Sequence, residues 1–275
     1  MNCPSTKSIS VILVNYNGAD ILTDCINSLE KFTSNDNLEI IIVDNNSQDN
    51  SIDNLENKYA DIKLMKLMKN VGFGAGNNAG AKIATGEFLC FLNTDTILIE
   101  NTPQILLNYL QQYQDVAVVS PRIIFKDGSY QLSSGKLPSL IVEFFDKIKY
   151  GLDSKFHSIL SRFYDKQNSL TKEVGWVTGA CLMIRRDVFD KLGGFDETFF
   201  MYFEDKDLCK RVNDAAFKVV YYPQTSLIHL LGGSSRNAKK SVNHYYRNSQ
   251  IYYYQKHLGT IQTAILKLYL RISGK

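Results

Sequence analysis

Continuous apolar runs alternate with amphipathic segments along the first hundred residues. Ser10–Val14 (Ser-Val-Ile-Leu-Val) and Glu39–Val43 (Glu-Ile-Ile-Ile-Val) are β-branched runs without polar alternation. That is the pattern of strands buried on both faces of a parallel sheet. Between them, Ile21, Leu22, Cys25, Ile26 and Leu29 recur at helical spacing and predict a helix over Asp20–Phe32. Ile62–Met68 predicts a third strand. Phe88–Leu92, aromatic-rich and too short for most helices, predicts a fourth. Strand, helix and strand in repetition predict a doubly wound, Rossmann-like α/β domain with a mostly parallel sheet. Its right-handed crossovers gather the strand ends on one edge.

Each of these strands ends on polar residues: Asn15-Tyr16-Asn17-Gly18, Asp44-Asn45-Asn46-Ser47 and Asn93-Thr94-Asp95. Ligands of open α/β sheets bind at that edge, so Tyr16, Asp44 and Asp95 are expected to converge on one crevice. A carboxylate there can hold a hard divalent cation that bridges a nucleotide's phosphates. Asp95 can equally cap a helix that starts near Asn101. Between the third and fourth strands lies Asn70-Val-Gly-Phe-Gly-Ala-Gly-Asn-Asn-Ala-Gly80. Its glycines allow close backbone approach to a ligand, and the helix start that follows favours an anion. Gly72, Gly74 and Gly76 do not form a dinucleotide fingerprint, which should follow the first strand. A nicotinamide-dependent oxidoreductase is poorly supported on that ground.

A second informative stretch is Trp176-Val-Thr-Gly-Ala-Cys-Leu-Met-Ile-Arg185, which reads as a strand crossing the site. It is followed by Gly193-Gly-Phe-Asp196 and by Glu204-Asp205 at a helix start. Leu208, Cys209 and Val212 share the face of Asp205 and turn it toward the interior. Asp207 and Arg211, four apart, read as a surface ion pair. Asp205 can be a helix cap or a general base. Apolar surroundings would raise its pKa, and the helix dipole would lower it.

Together these motifs resemble an inverting family 2 glycosyltransferase of the GT-A fold, and most resemble the rhamnosyltransferase-like branch. Val14-Asn-Tyr-Asn17, Val43-Asp-Asn-Asn-Ser47, Asn70-Val-Gly-Phe-Gly74, Asn93-Thr-Asp95, Gly193-Gly-Phe-Asp196, Glu204-Asp-Lys-Asp-Leu208 and His229-Leu-Leu-Gly-Gly-Ser234 carry the resemblance in the family's order. It implies a nucleotide diphosphate sugar donor held by Asn15, Tyr16, Asn17, Asp44, Asn46, Asn70, Gly72, Gly74, Asn77, Asn93 and Thr94. Trp176, Gly179 and Asp196 would face donor or acceptor sugar. Asp95 and His229 would bind Mg²⁺ or Mn²⁺, and an imidazole suits Mn²⁺ better. Asn93 stands where many relatives have Asp. Asp205, with Glu204 as fallback, would be the catalytic base. The acceptor would be a glycan or lipid-linked glycan in bacterial surface polysaccharide assembly. The alternative is a nucleotide-sugar-binding module that has lost activity.

Composition agrees with a globular enzyme: 275 residues with 44% hydrophobic content can bury one large α/β core. Five cysteines without a C-x-x-C pair read as reduced core thiols of a cytoplasmic protein. There is no 18-residue apolar run and no signal-peptide pattern. The overall charge of +3 conceals an asymmetry. Residues 1–214 hold 22 basic against 28 acidic groups, and the remaining 61 hold nine basic and no acidic ones. The sequence therefore divides into a glycosyltransferase domain over 1–235 and a basic, Tyr-rich helical extension over 236–275. That extension suits the anionic inner face of a membrane. It suits nucleic acid less, since no known nucleic-acid motif accompanies it. It also reads as a helix packed on the domain with Ile251, Leu258, Ile265 and Leu268 inward. Residues 138–172 lack strand alternation and read as an acceptor-side lobe or flap. Asp127-Gly128 before them signals a hairpin turn.

Overall fold

The computed structural model describes residues 8–33, 38–49, 52, 55, 59, 62–145, 168–230 and 239–272. The elements run β1 (Ile9–Asn15), α1 (Ala19–Phe32), β2 (Leu38–Asp44), β3 (Ile62–Lys66), α2 (Phe73–Ile83), β4 (Phe88–Leu92), β5 (Thr96–Leu98), α3 (Thr102–Gln112) and β6 (Val116–Ile124). They continue with β7 (Ser134–Gly135), β8 (Lys172–Glu173), β9 (Trp176–Val177), β10 (Cys181–Arg185), α4 (Arg186–Lys191), α5 (Glu204–Asp214), β11 (Lys218–His229), α6 (Lys239–His257) and α7 (Gly259–Ile272). A helical turn occupies 140–145. Most of the expected lobe at 138–172 lies outside the described residues, as does Cys3.

The main sheet has the order β3-β2-β1-β4-β10-β6-β11-β5, with β8 beside β11. β3, β2, β1 and β4 are parallel, with Asn15 in register with Asp44. The strand β10 is antiparallel to both β4 and β6, so the sheet is mixed at its centre. β11 runs parallel to β6 and antiparallel to β5 and β8. The predicted strand over Trp176–Arg185 is broken into β9 and β10, because the chain leaves the sheet at Thr178-Gly179-Ala180. At the expected hairpin, Gly128 adopts φ +82° but only one bridge, Ile124 to Tyr130, forms beyond it.

Period-two alternation inside the strands divides the core. Ile9, Val11 and Leu13 of β1 and Phe88, Cys90 and Leu92 of β4 meet α1 and α3 on one face. Ile12, Leu89, Phe91, Leu182 and Ile184 meet α2, α4 and α5 on the other. The helix α2 sits directly on β1. A Cβ at Gly76 would come within 2.9 Å of Val14 Cγ1, and one at Gly80 within 2.5 Å of Ile12 Cγ2. These two glycines therefore serve helix–sheet packing rather than ligand approach.

A third cluster lies under the last helices: Phe199, Phe203, Tyr253, Tyr254, Leu266 and Leu270. Ile251 and Leu258 pack against it as expected, but in α7 it is Leu266 and Leu270 that face inward, and Ile265 and Leu268 are exposed. Among the described residues no helix is long and apolar enough to cross a membrane.

Candidate active site

The polar ends of β1 and β2 and the glycine-rich loop form one continuous hydrogen-bonded rim. Asn15 Nδ2 donates to Asp44 Oδ1 at 3.3 Å and to Ser47 Oγ at 3.1 Å. Asn17 and Asn46 both adopt left-handed backbone, which Asn tolerates better than most residues. Asn17 closes the loop by donating its N–H to Ser47 Oγ at 3.0 Å and accepting the Gln48 N–H at 2.7 Å. Tyr16 stands at the surface beside this pair and Asp44 beneath it is buried. Asn45 extends the rim to the glycine-rich loop, donating to Asn70 Oδ1 at 3.0 Å and to the Gly72 carbonyl at 3.1 Å.

Gly72 is the closest-fitting point of that loop. Its φ is +92°, and a Cβ built on it would lie 2.2 Å from the Phe200 carbonyl oxygen. The next residue, Phe73, donates its N–H to that same carbonyl at 2.9 Å. The first donor of α2 is thus committed to the chain itself. Asn77 is also turned inward, its amide donating to the Phe73 carbonyl at 3.1 Å.

The loop touched by Gly72 leads into α5. Tyr202 and Phe203 have φ of +69° and +67°, two consecutive non-glycine residues in left-handed backbone. Such strain persists where surrounding structure imposes it, and it often accompanies function. It delivers Glu204 and Asp205 to the start of α5. Asp205 is half-buried, and its Oδ2 accepts the Gly179 N–H at 3.1 Å across the break between β9 and β10. Burial wins the contest over its pKa and raises it, against the lowering effects of Lys206 and the backbone donors. Glu204 is sealed, with Oε2 lacking any hydrogen-bond partner. Burial first, and the charge of Asp205 next, push it up to about 8. Of the two candidate bases only Asp205 is accessible; Glu204 is neutral at pH 7.

Asn93, Asp95 and His229 converge from the end of β4 and the end of β11. Asp95 Oδ1 and His229 Nε2 are 3.0 Å apart, with Asn93 Nδ2 3.4 Å from the imidazole. The helix start near Asn101 is capped by Asn101 itself, which accepts the Gln104 N–H, so Asp95 is not needed as a cap. His229 Nδ1 lies 3.2 Å from Gln131 Oε1. Gln131 Nε2 lies 3.1 Å from the same ring nitrogen, so the Gln131 amide fixes the ring's orientation through either of its two groups. Two ligands about 2.1 Å from one octahedral ion stand about 3.0 Å apart. The 3.0 Å spacing of the pair matches both a hydrogen bond and two ligands of one divalent cation. Gln131, which orients the imidazole, carries no signal in the sequence; it follows an unremarkable turn.

One expected site residue is used differently. Asp196 turns to α6, accepting from Tyr252 Oη at 2.9 Å and from Lys256 Nζ at 2.7 Å. Trp176 is partly buried, with Lys206 Nζ 4.7 Å over its ring. Asp207 and Arg211 do pair, at 2.8 Å, but Asp207 is fully buried rather than on the surface. Lys256 and His257 of α6 each reach it at 2.7 Å. Burial alone would raise the Asp207 pKa; the His257 hydrogen bond and the Arg211 and Lys256 charges outweigh it and hold it low. The helix α6 thereby braces α5 and the loop before it.

Comparison with known proteins places this geometry. The chain is 26% identical, over 92% of its length and 86% of the relative's, to an N-acetylglucosaminyl-diphospho-decaprenol L-rhamnosyltransferase of Mycobacterium tuberculosis. It is 25% identical, over 83% of its length and 86% of the relative's, to the rhamnosyltransferase WbbL of Escherichia coli. Among solved structures it is similar to a mannosyltransferase of Pyrobaculum calidifontis in complex with GDP-Man and Mn²⁺. The TM-score is 0.61 at 15% identity, and the match covers 93% of this chain and 65% of that one. That likeness shows the GT-A fold. The description "Glycosyl transferase family 2" matches residues 10–193, and the chain belongs to that family.

Proposed function

We propose that the protein is an inverting glycosyltransferase that moves L-rhamnose from a nucleotide diphosphate sugar to a hydroxyl of a lipid-linked glycan. The names of its bacterial relatives support rhamnose and a diphospho-polyprenol acceptor, in surface polysaccharide assembly. The four described cysteines, all free and buried, support a reducing, cytoplasmic setting.

The observation that carries the reading is Asp205: half-buried, raised in pKa, and fixed by the Gly179 N–H beside the polar rim. In the proposed reaction its carboxylate takes the acceptor hydroxyl proton as that oxygen attacks the anomeric carbon. The bond from that carbon to the diphosphate oxygen breaks, and the nucleoside diphosphate departs. Opposite-face attack inverts the anomeric centre without a protein nucleophile. Asp44, Asn15, Asn17 and Asn46 are assigned to base and ribose, with the exposed Tyr16 ring offering a stacking face. Asn70, Gly72, Gly74, Asn93 and Thr94 lie toward the diphosphate. Trp176 and Gly179 lie on the sugar side, while Asp196 and Asn77 support rather than touch substrate. Asp95 and His229 would hold Mn²⁺ or Mg²⁺. When bound, the ion neutralises charge that develops on the leaving diphosphate.

Replacing Asp205 tests this. Asp205→Asn keeps an oxygen for the Gly179 N–H and loses the base. Turnover is expected to fall by at least about a hundredfold while donor binding stays nearly intact. Near wild-type turnover in that variant would refute the assignment.

A further inference from the structure

The helix α7 is covered on one side only. Thr263, Leu266 and Leu270 turn toward the cluster of Phe199, Phe203, Tyr253 and Tyr254. On the opposite side Ile261, Ile265, Leu268 and Ile272 are 76, 49, 59 and 78% exposed. Their spacing of four, three and four residues draws one unbroken apolar stripe, about 17 Å long at 1.5 Å per residue. Single exposed apolar residues are ordinary, whereas a contiguous stripe marks an interaction surface.

The border of the stripe identifies its partner. Lys267 and Arg271, both exposed, border it on one side, and the exposed Tyr269 borders it on the other. No acidic residue occurs anywhere after Asp214. A second copy of the chain would close the seam by bringing Lys267 and Arg271 of both copies together, with no carboxylate on either helix to offset them. An anionic lipid surface accepts all three features. The aliphatic groups enter the acyl boundary, the cations meet headgroup phosphates, and a tyrosine ring suits the interface between them. A second part of the same body points the same way. The turn at 140–145 packs Leu140 on the α6–α7 cluster and leaves Ile141, Phe144 and Phe145 exposed.

We infer that the Ile261–Ile265–Leu268–Ile272 face of α7 docks on an anionic phospholipid bilayer as an in-plane amphipathic helix. The docked body also supports the catalytic loop. Ser249 Oγ donates to the Met201 carbonyl at 2.7 Å, and Tyr245 stacks on Phe200 at 4.6 Å. Docking through α7 sets Tyr202–Asp205 in a fixed relation to the membrane plane. The inference goes beyond the donor and metal assignments and depends on neither.

The test is flotation of the full chain with phosphatidylcholine vesicles, with and without phosphatidylglycerol, at low salt. Flotation with the anionic vesicles alone is expected. Replacing all four stripe residues by serine is expected to cut the bound fraction at least about tenfold, as is Lys267→Glu with Arg271→Glu. All six side chains are exposed, and thermal melts check folding; the charge reversal stands in if the serine variant melts early. Wild-type protein that stays unbound, or variants that float equally well, would overturn the inference. So would a concentration-dependent dimer in light scattering that the serine variant abolishes, without vesicle binding. Nucleoside diphosphate binding, measured on the same samples, separates failure of this surface from failure of the donor site.

Discussion

Gly72→Ala is the substitution whose cost the structure defines most sharply. At φ +92° and ψ 177°, Gly72 occupies backbone that is almost exclusively glycine's, and any side chain there is strained by about 2 kcal/mol. The added Cβ would also sit 2.2 Å from the Phe200 carbonyl oxygen, a backbone atom that cannot swing aside. Relief requires the loops to separate by about an ångström, which breaks the 2.9 Å hydrogen bond from Phe73 N–H to Phe200 and adds about 1 kcal/mol. The sum, about 3 kcal/mol, corresponds to a loss of roughly 6–12 °C in Tm for a chain of this size. Gly128→Ala provides the control, since its φ is +82° but nothing lies within 4 Å of the new Cβ. It should lose about 1 kcal/mol, from backbone strain alone. Thermal unfolding of both variants is the assay, with nucleotide affinity as a second readout that only Gly72→Ala should weaken. Equal Tm losses in the two variants would refute the idea that the glycine-rich loop is latched to the loop before α5.

Two further perturbations probe the acidic residues of α5. Between pH about 4.5 and 8 the folded chain keeps a proton on Glu204 that the unfolded chain has released. Wild-type stability should fall as pH rises through that window, and Glu204→Gln should flatten the slope in urea melts at several pH values; an unchanged slope would contradict a sealed, neutral Glu204. Asp207→Asn leaves Arg211, Lys256 and His257 around a neutral group and should cost about 3 kcal/mol at neutral pH. Because Asp207 is held low, the wild-type advantage should disappear on acidification below the carboxylate range, and a variant as stable as wild type at pH 7 would exclude the brace.

Much of this architecture could be read from residue pattern, for a definite physical reason. A strand buried on both faces must be apolar throughout, so β1, β2 and β4 announce themselves, and their polar ends mark the site. Strand direction leaves no such trace. Cys181-Leu-Met-Ile184 would look the same parallel or antiparallel, and β10 proved antiparallel. Helix α7 carries apolar residues on two opposite faces, so spacing could not separate Leu266 and Leu270 from Ile265 and Leu268; the cluster from Phe199 and Tyr253 decided it. Asp207 was misjudged because its cover, α6, arrives some fifty residues later in the chain. The helix-cap reading of Asp95 fell only when Asn101 was seen to cap α3 by itself. Gln131 could not have been found, since its partner His229 lies 98 residues away and neither neighbourhood suggests the other.

The most direct test of a metal-assisted nucleotide-sugar enzyme is calorimetric titration of dTDP, UDP and GDP into the folded chain, with and without Mn²⁺, in wild type and in Asp95→Asn. One nucleoside diphosphate should bind, with Mn²⁺ tightening Kd by about tenfold or more, equivalent to about 1.4 kcal/mol, in wild type alone. Binding that ignores Mn²⁺, a Mn²⁺ effect that survives Asp95→Asn, or no binding of any of the three would contradict it.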